Sequence, residues 1–131
     1  MVVGVDTRAI SIELPPYVHF IQADVFELLP TDLYQISAEF DVVLSDLAPA
    51  TTGIRSVDSS RSFILFQRAL ILADDVLVPG AYFLGKIFQG SGFDEMVKEL
   101  KSRFDKVKII RPRATRSQSK EVYLVAMGKK K

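Results

Sequence analysis

The chain has 131 residues, with 17 Lys and Arg against 16 Asp and Glu, a net charge of +1. An apolar fraction of 48% suffices for one globular domain over residues 1–131 and argues against disorder. The absence of cysteine excludes disulfides, iron–sulfur clusters and thiolate zinc sites, and a lone histidine, His19, excludes a multi-histidine metal centre or a histidine triad within one chain.

No apolar run approaches the roughly 20 residues of a membrane span. The N-terminus reads as a strand and not as a signal peptide, so a cytoplasmic protein without membrane contact or bound metal is expected. Residues 2–5 form an apolar run ending at Asp6. Pro15-Pro16 separates it from a second run, 18–21, which contains His19 and leads to Asp24. Residues 25–37 have room for a short helix, against which Pro30 counts, and 41–44 form a third strand ending at Ser45-Asp46.

Helical spacing of Phe63, Phe66, Leu70, Ala73 and Leu77 predicts a helix that Pro79-Gly80 stops. A fourth strand covers 80–87, with Lys86 near its end. Ser91 and Asp94 resemble a capping box ahead of a second apolar stripe, Phe93, Met96, Val97, Leu100 and Phe104. Strands over 106–110 and 122–127 close the chain.

Near-continuous apolar strands alternating with helices predict an α/β layered sheet, buried on both faces and joined by right-handed crossovers. Ligands of such sheets lie outside the carboxyl ends of the strands. That rule singles out Asp6, Asp24, Asp46 and Lys86. An acid ending an early strand suits a ribose diol, although aspartates at such positions commonly serve turns. Lys86 is an ammonium among apolar residues, surroundings that favour the neutral, proton-accepting amine. Asp46 and Glu121, which opens the last strand, are its candidate partners.

Charge is distributed unevenly. Residues 1–97 hold 5 basic and 13 acidic side chains, a net of −8, whereas residues 98–131 hold 12 basic and 3 acidic, a net of +9. A basic terminal third points to a polyanion partner, and Arg111, Arg113 and Arg116, in a loop with Ser117 and Ser119, suit phosphate contacts.

Three strings carry a resemblance: Ser45-Asp46-Leu47-Ala48-Pro49 with Gly53; Gly85-Lys86-Ile87-Phe88-Gln89-Gly90 with Gly92-Phe93-Asp94; and Ser117-Gln118-Ser119-Lys120-Glu121-Val122-Tyr123-Leu124-Val125-Ala126. In this order and at these separations they closely resemble the FtsJ/RrmJ family of S-adenosylmethionine-dependent RNA ribose 2′-O-methyltransferases, over nearly the whole chain. The resemblance implies a Rossmann-like methyltransferase sheet and 23S ribosomal RNA, within the large ribosomal subunit, as substrate. Relatives acting on transfer RNA or messenger-RNA caps supply an alternative substrate.

By the same resemblance Asp46, Lys86 and Glu121 match the last three members of a Lys-Asp-Lys-Glu tetrad. Lys86 would orient or deprotonate the attacking hydroxyl, and Asp46 and Glu121 would steer it. Asp6 matches the acid that binds the cofactor ribose, Asp24 the acid that reads the adenine amino group, and Val25 a backbone contact to the ring. Asp46 would also lie near the amino group of the methionine part. The family carries, ahead of the region matching residues 2–6, a helix with the first tetrad lysine, a first strand and a Gly-rich cofactor loop. The sequence starts at what matches the second strand. The chain by itself is therefore expected to bind cofactor poorly and to fold weakly, the full-length form being a monomer. A catalytically silent RNA-binding module is the competing expectation. A dehydrogenase-like nucleotide enzyme would leave Lys86 and Glu121 unexplained.

Overall fold

A computed structural model describes residues 1–112 and 120–131, and the chain divides into two compact units, Met1–Ala38 and Glu39–Lys131. In the first unit, β1 (Val2–Asp6) pairs in parallel with β2 (Val18–Gln22), and α1 is a short helix, Pro30–Tyr34. Pro30 occupies the first helical position, where its missing N–H costs nothing. The Asp32 carboxylate accepts the Leu29 N–H at 2.9 Å, which fixes the helix start. His19 is exposed on β2, opposite Val3.

The second unit holds β3 (Phe40–Ser45), α2 (Arg55–Val76), β4 (Leu77–Phe88), α3 (Phe93–Arg103), β5 (Phe104–Ile110) and β6 (Glu121–Lys129). Its sheet has the order β3-β4-β6-β5; β3 and β4 are parallel, and β6 runs antiparallel to both β4 and β5. The expected α/β architecture is present, as a mixed sheet. Residues opposite each other across strands share a face. One face carries Val43, Phe83, Ile87, Val122, Leu124 and Ala126, packed with Phe66, Leu70 and Ala73 of α2 and Met96 and Leu100 of α3. Phe66 and Phe83 meet edge to face, with ring centroids 5.4 Å apart.

Several sequence expectations are corrected. Burial on both faces fails for this sheet: Val42, Leu44, Tyr82 and Ile110, all on the other face, are exposed. Pro79-Gly80 does not stop α2. The helix ends at Val76 and passes directly into β4, and Pro79-Gly80 lies in a bulge between the Phe40–Leu77 and Val42–Tyr82 pairs. Gly80, at φ +85°, takes a backbone conformation that glycine tolerates best. Leu77 and Phe104 are thus strand residues, not the last turns of helices. Instead of a Ser91 capping box, α3 has Gly92 as N-cap at φ +88°, where a Cβ would meet the Phe63 ring at 2.7 Å.

α2 begins at Arg55, eight residues before its apolar stripe, because the side chains buried in its first turns are polar. Asp58 is buried and accepts the Thr52 N–H and hydroxyl, both at 2.8 Å, and the Gly53 N–H at 3.2 Å. At the other end of α2, Lys129 donates to the carbonyls of Asp74 and Leu77, and Arg103 holds the Asp74 carboxylate at 2.8 Å. A cation is well placed at a helix C-terminus. Among the described residues no helix is long and apolar enough to cross a membrane.

Gly85 has no room for a side chain: a Cβ there would lie 2.4 Å from the Phe66 ring and 3.2 Å from Phe83. Gly85→Ala is expected to destabilise the fold by about 1–3 kcal/mol in urea unfolding, the usual cost of overpacking a close-packed core. The Asp58 carboxyl is held below the ordinary carboxylate range, first by the Thr52 N–H, then by the Thr52 hydroxyl, the Gly53 N–H and the Lys120 charge, against an opposing effect of burial. Because the folded value is the lower one, its contribution to stability is present above the ordinary carboxylate range and is lost as pH falls through the folded value. Acid unfolding of the parent should therefore steepen at that limb, and Asp58→Asn should flatten it, as followed by circular dichroism.

Candidate active site

The second unit's site follows from strand register. Ser45, the last residue of β3, pairs with Gly85, and both belong to the packed face. One residue further along each parallel strand lie Asp46 and Lys86, and the alternation of side chains turns both to the opposite face. On the far side of β4, Lys86 is directly opposite Tyr123 of β6. Three neighbouring segments thus deliver a carboxylate, an ammonium and a phenol to one row.

The side chains meet as that row requires. Lys86 Nζ lies 3.2 Å from Asp46 Oδ1, and the Tyr123 hydroxyl donates to the same oxygen at 2.9 Å. The Lys86 side chain is 11% exposed and that of Asp46 72% exposed. The lysine stem is therefore fixed by packing, whereas the carboxylate depends on its two donors and its backbone for position. Glu121, paired with Phe88, is on the same face of β6 as Tyr123, one step along. Hydrogen bonding to Asp46 raises the Tyr123 phenol above its ordinary value, with burial and the charges of Asp46 and Glu121 adding to the shift. Tyr123 consequently stays protonated and remains a donor to Asp46.

In the first unit, Asp6 ends β1 and Asp24 lies two residues past β2; both are exposed. The Ala23 N–H donates to the Asp6 carbonyl at 3.0 Å, so both acids sit at one carboxyl edge of the strand pair. Each ties its own turn: Asp6 Oδ1 accepts the Arg8 N–H at 3.0 Å, and Asp24 Oδ1 accepts the Phe26 N–H at 2.9 Å. Two exposed carboxylates at the ends of parallel strands are acceptors suited to the hydroxyl and amino donors of a nucleoside. Val25, half-buried, follows Asp24.

Arg111 follows β5 and donates to the Gln89 side chain, just beyond β4, at 2.6 Å. Arg113 and Arg116, the other two expected phosphate contacts, lie outside the described residues. Tyr123 is the site residue that sequence reasoning missed. Its signal was present, because Tyr123 stands two residues from Glu121 and so shares its face in any strand.

The fold places the chain in a structural class. It aligns with the crystal structure of a ribosomal RNA methyltransferase from Plasmodium falciparum at a TM-score of 0.84 and 23% identity, covering 98% of this chain and 71% of that one. That likeness shows a shared α/β fold. The family model described as FtsJ-like methyltransferase matches residues 1–129, and the chain belongs to that family. Among curated relatives, the ribosomal RNA large subunit methyltransferase E of Desulfatibacillum aliphaticivorans is 48% identical over 129 residues, covering 98% of this chain and 62% of the relative. The protein of the same name from Syntrophobacter fumaroxidans is 43% identical over 134 residues, covering 100% of this chain and 67% of the relative. The chain thus spans about two thirds of the length of these relatives.

The Tyr123–Asp46 bond has a direct spectroscopic consequence. Among the four tyrosines, the difference in ultraviolet pH titration between the parent and Tyr123→Phe isolates Tyr123. Its phenol is expected to titrate above the ordinary tyrosine value in the parent and to move down in Asp46→Asn. No movement in Asp46→Asn would show that the bond does not form in solution.

Proposed function

We propose that the chain is the major part of a ribosomal RNA methyltransferase that uses S-adenosylmethionine to methylate a ribose 2′-hydroxyl, most directly of 23S ribosomal RNA. The observation that carries this reading is the convergence of Lys86 and Tyr123 on the Asp46 carboxylate, with Glu121 on the same face. Family membership and the names of the relatives support methyl transfer to ribosomal RNA; the residue types support the ribose hydroxyl as acceptor.

Asp6 would accept from the cofactor ribose and Asp24 from the adenine amino group, with the Val25 backbone against the ring. Asp46 would also accept from the amino group of the methionine part. When bound, the cofactor supplies a methyl group on a positively charged sulfur. Lys86 would engage and orient the ribose hydroxyl, and would take the departing proton only in its neutral amine form. Asp46 holds the lysine head in place, and Tyr123 holds Asp46. Glu121 adds a second negative charge on the same face. Aligning the reacting atoms in this way can supply up to roughly 7–11 kcal/mol in ideal intramolecular cases. Arg111, with Arg113 and Arg116, would bind RNA phosphates and make affinity fall with salt. Because the donor's positive charge is lost as the methyl moves, this chemistry needs no metal.

The test is a transfer assay with labelled S-adenosylmethionine and large ribosomal subunits that lack the modification, using the complete gene product. Lys86→Ala is expected to lower kcat by roughly 10²–10⁴-fold, the range for losing a proton-transfer group. Retained RNA binding without methyl transfer in the parent would favour the silent RNA-binding reading. Full activity in Lys86→Ala would remove Lys86 from the mechanism.

A further inference from the structure

We propose that Asp58 is a positioning residue for the site just described, holding the loop that follows Asp46 and the segment that precedes Glu121 in fixed relation. The inference rests on the methyltransferase reading for its kinetic consequence and on geometry for its structural one. Asp46 is followed by eight residues that belong to no regular element, 47–54. Asp58 closes that loop from its far end. It accepts the Thr52 N–H and hydroxyl and the Gly53 N–H, and the Thr52 hydroxyl oxygen in turn accepts the Ile54 N–H at 3.1 Å.

The same end of α2 reaches the continuation of β4. The Ser62 hydroxyl oxygen accepts the buried Phe88 N–H at 2.9 Å, and the Ser59 hydroxyl donates to the Gln89 carbonyl at 3.4 Å. Gly90 permits this approach, since a Cβ there would lie 2.5 Å from the Ser59 oxygen. The Gln89 N–H donates to the Lys120 carbonyl at 2.9 Å, so Ser59, next to Asp58 on α2, reaches the segment that precedes Glu121 through Gln89. Segments adjoining Asp46, Lys86 and Glu121 are therefore joined through one buried polar face of α2, formed by Asp58, Ser59 and Ser62.

A buried carboxylate is a poor source of stability and a good source of fixed geometry when all its partners are satisfied. Fixed geometry is what the site needs. The Asp46 side chain is largely exposed, so neighbouring packing does not place it, and small misplacements of reacting groups are costly. Asp58 touches no reacting atom; it acts through the backbone on either side of those that do.

The complete gene product carrying Asp58→Asn, Thr52→Val or Thr52→Ser tests this. Asp58→Asn puts an amide donor against backbone donors, whereas Thr52→Ser preserves every bond. At a temperature where circular dichroism shows full folding, Asp58→Asn is expected to lose at least about ten-fold in kcat, since a shift of the order of an ångström costs more. The KM for RNA should stay within about two-fold of the parent, as should every constant of Thr52→Ser. Amides of Thr52, Gly53 and Gln89 should exchange about ten-fold faster in Asp58→Asn, with Leu70 and Ala73 unchanged.

An unchanged kcat in folded Asp58→Asn, or a loss that merely tracks the unfolded fraction, overturns the proposal. If Asp58→Asn does not fold, Thr52→Val carries the same test with a smaller expected loss, and its unchanged kcat and exchange overturn the proposal equally. If the parent transfers no methyl group, the methyltransferase reading fails separately and the exchange data alone decide on Asp58.

Discussion

The lateral pairing of β4 with β3 on one side and β6 on the other is the constraint on which the site depends. Parallel pairing of Ser45 with Gly85 sets Asp46 beside Lys86, and antiparallel pairing of Lys86 with Tyr123 completes the row. A slip of one residue in either ladder would turn its contribution to the packed face and bury a charge or a phenol against Phe66 and Phe83. The apolar core on one face therefore enforces the chemistry on the other. Gly85 links the two, because its missing side chain lets Phe66 lie against the strand directly behind the site.

Electrostatics refine what register begins. Two donors, one charged and one neutral, share a single carboxylate oxygen of Asp46. The phenol stays protonated beside the carboxylates and adds a directed hydrogen bond without adding charge. The positively charged end of the chain supplies Arg111 just past β5, linked to the segment beyond β4 through Gln89.

Much of this was legible in the sequence because strand ends are legible. Asp6, Asp46 and Lys86 were found as polar residues terminating apolar runs, and each stands at or near the carboxyl end of its strand. Glu121 opens β6 as expected. Other features escaped for physical reasons. Tyr123 reads as an ordinary strand aromatic until the partner strand is known, since its function lies in who sits opposite. The start of α2 was hidden because its buried face is polar there, so an apolar-periodicity search begins at Phe63 instead. Pro79-Gly80 looked like a helix stop and proved to be a bulge, because Val76 passes into β4 without a loop. The exposure of Val42, Leu44, Tyr82 and Ile110 could not be read from strands whose composition is apolar on both sides.

The central claim is that this row of side chains directs a methyl group to a ribose oxygen, and the chemical form of the product tests it most directly. Methylated ribosomal RNA from the reaction of the complete gene product can be digested with alkali, which cleaves next to a free 2′-hydroxyl and leaves a 2′-O-methylated linkage intact. The account predicts that the label appears in an alkali-resistant dinucleotide, and that none appears there with Lys86→Ala. Label recovered only in alkali-released mononucleotides, as a methylated base, would contradict it.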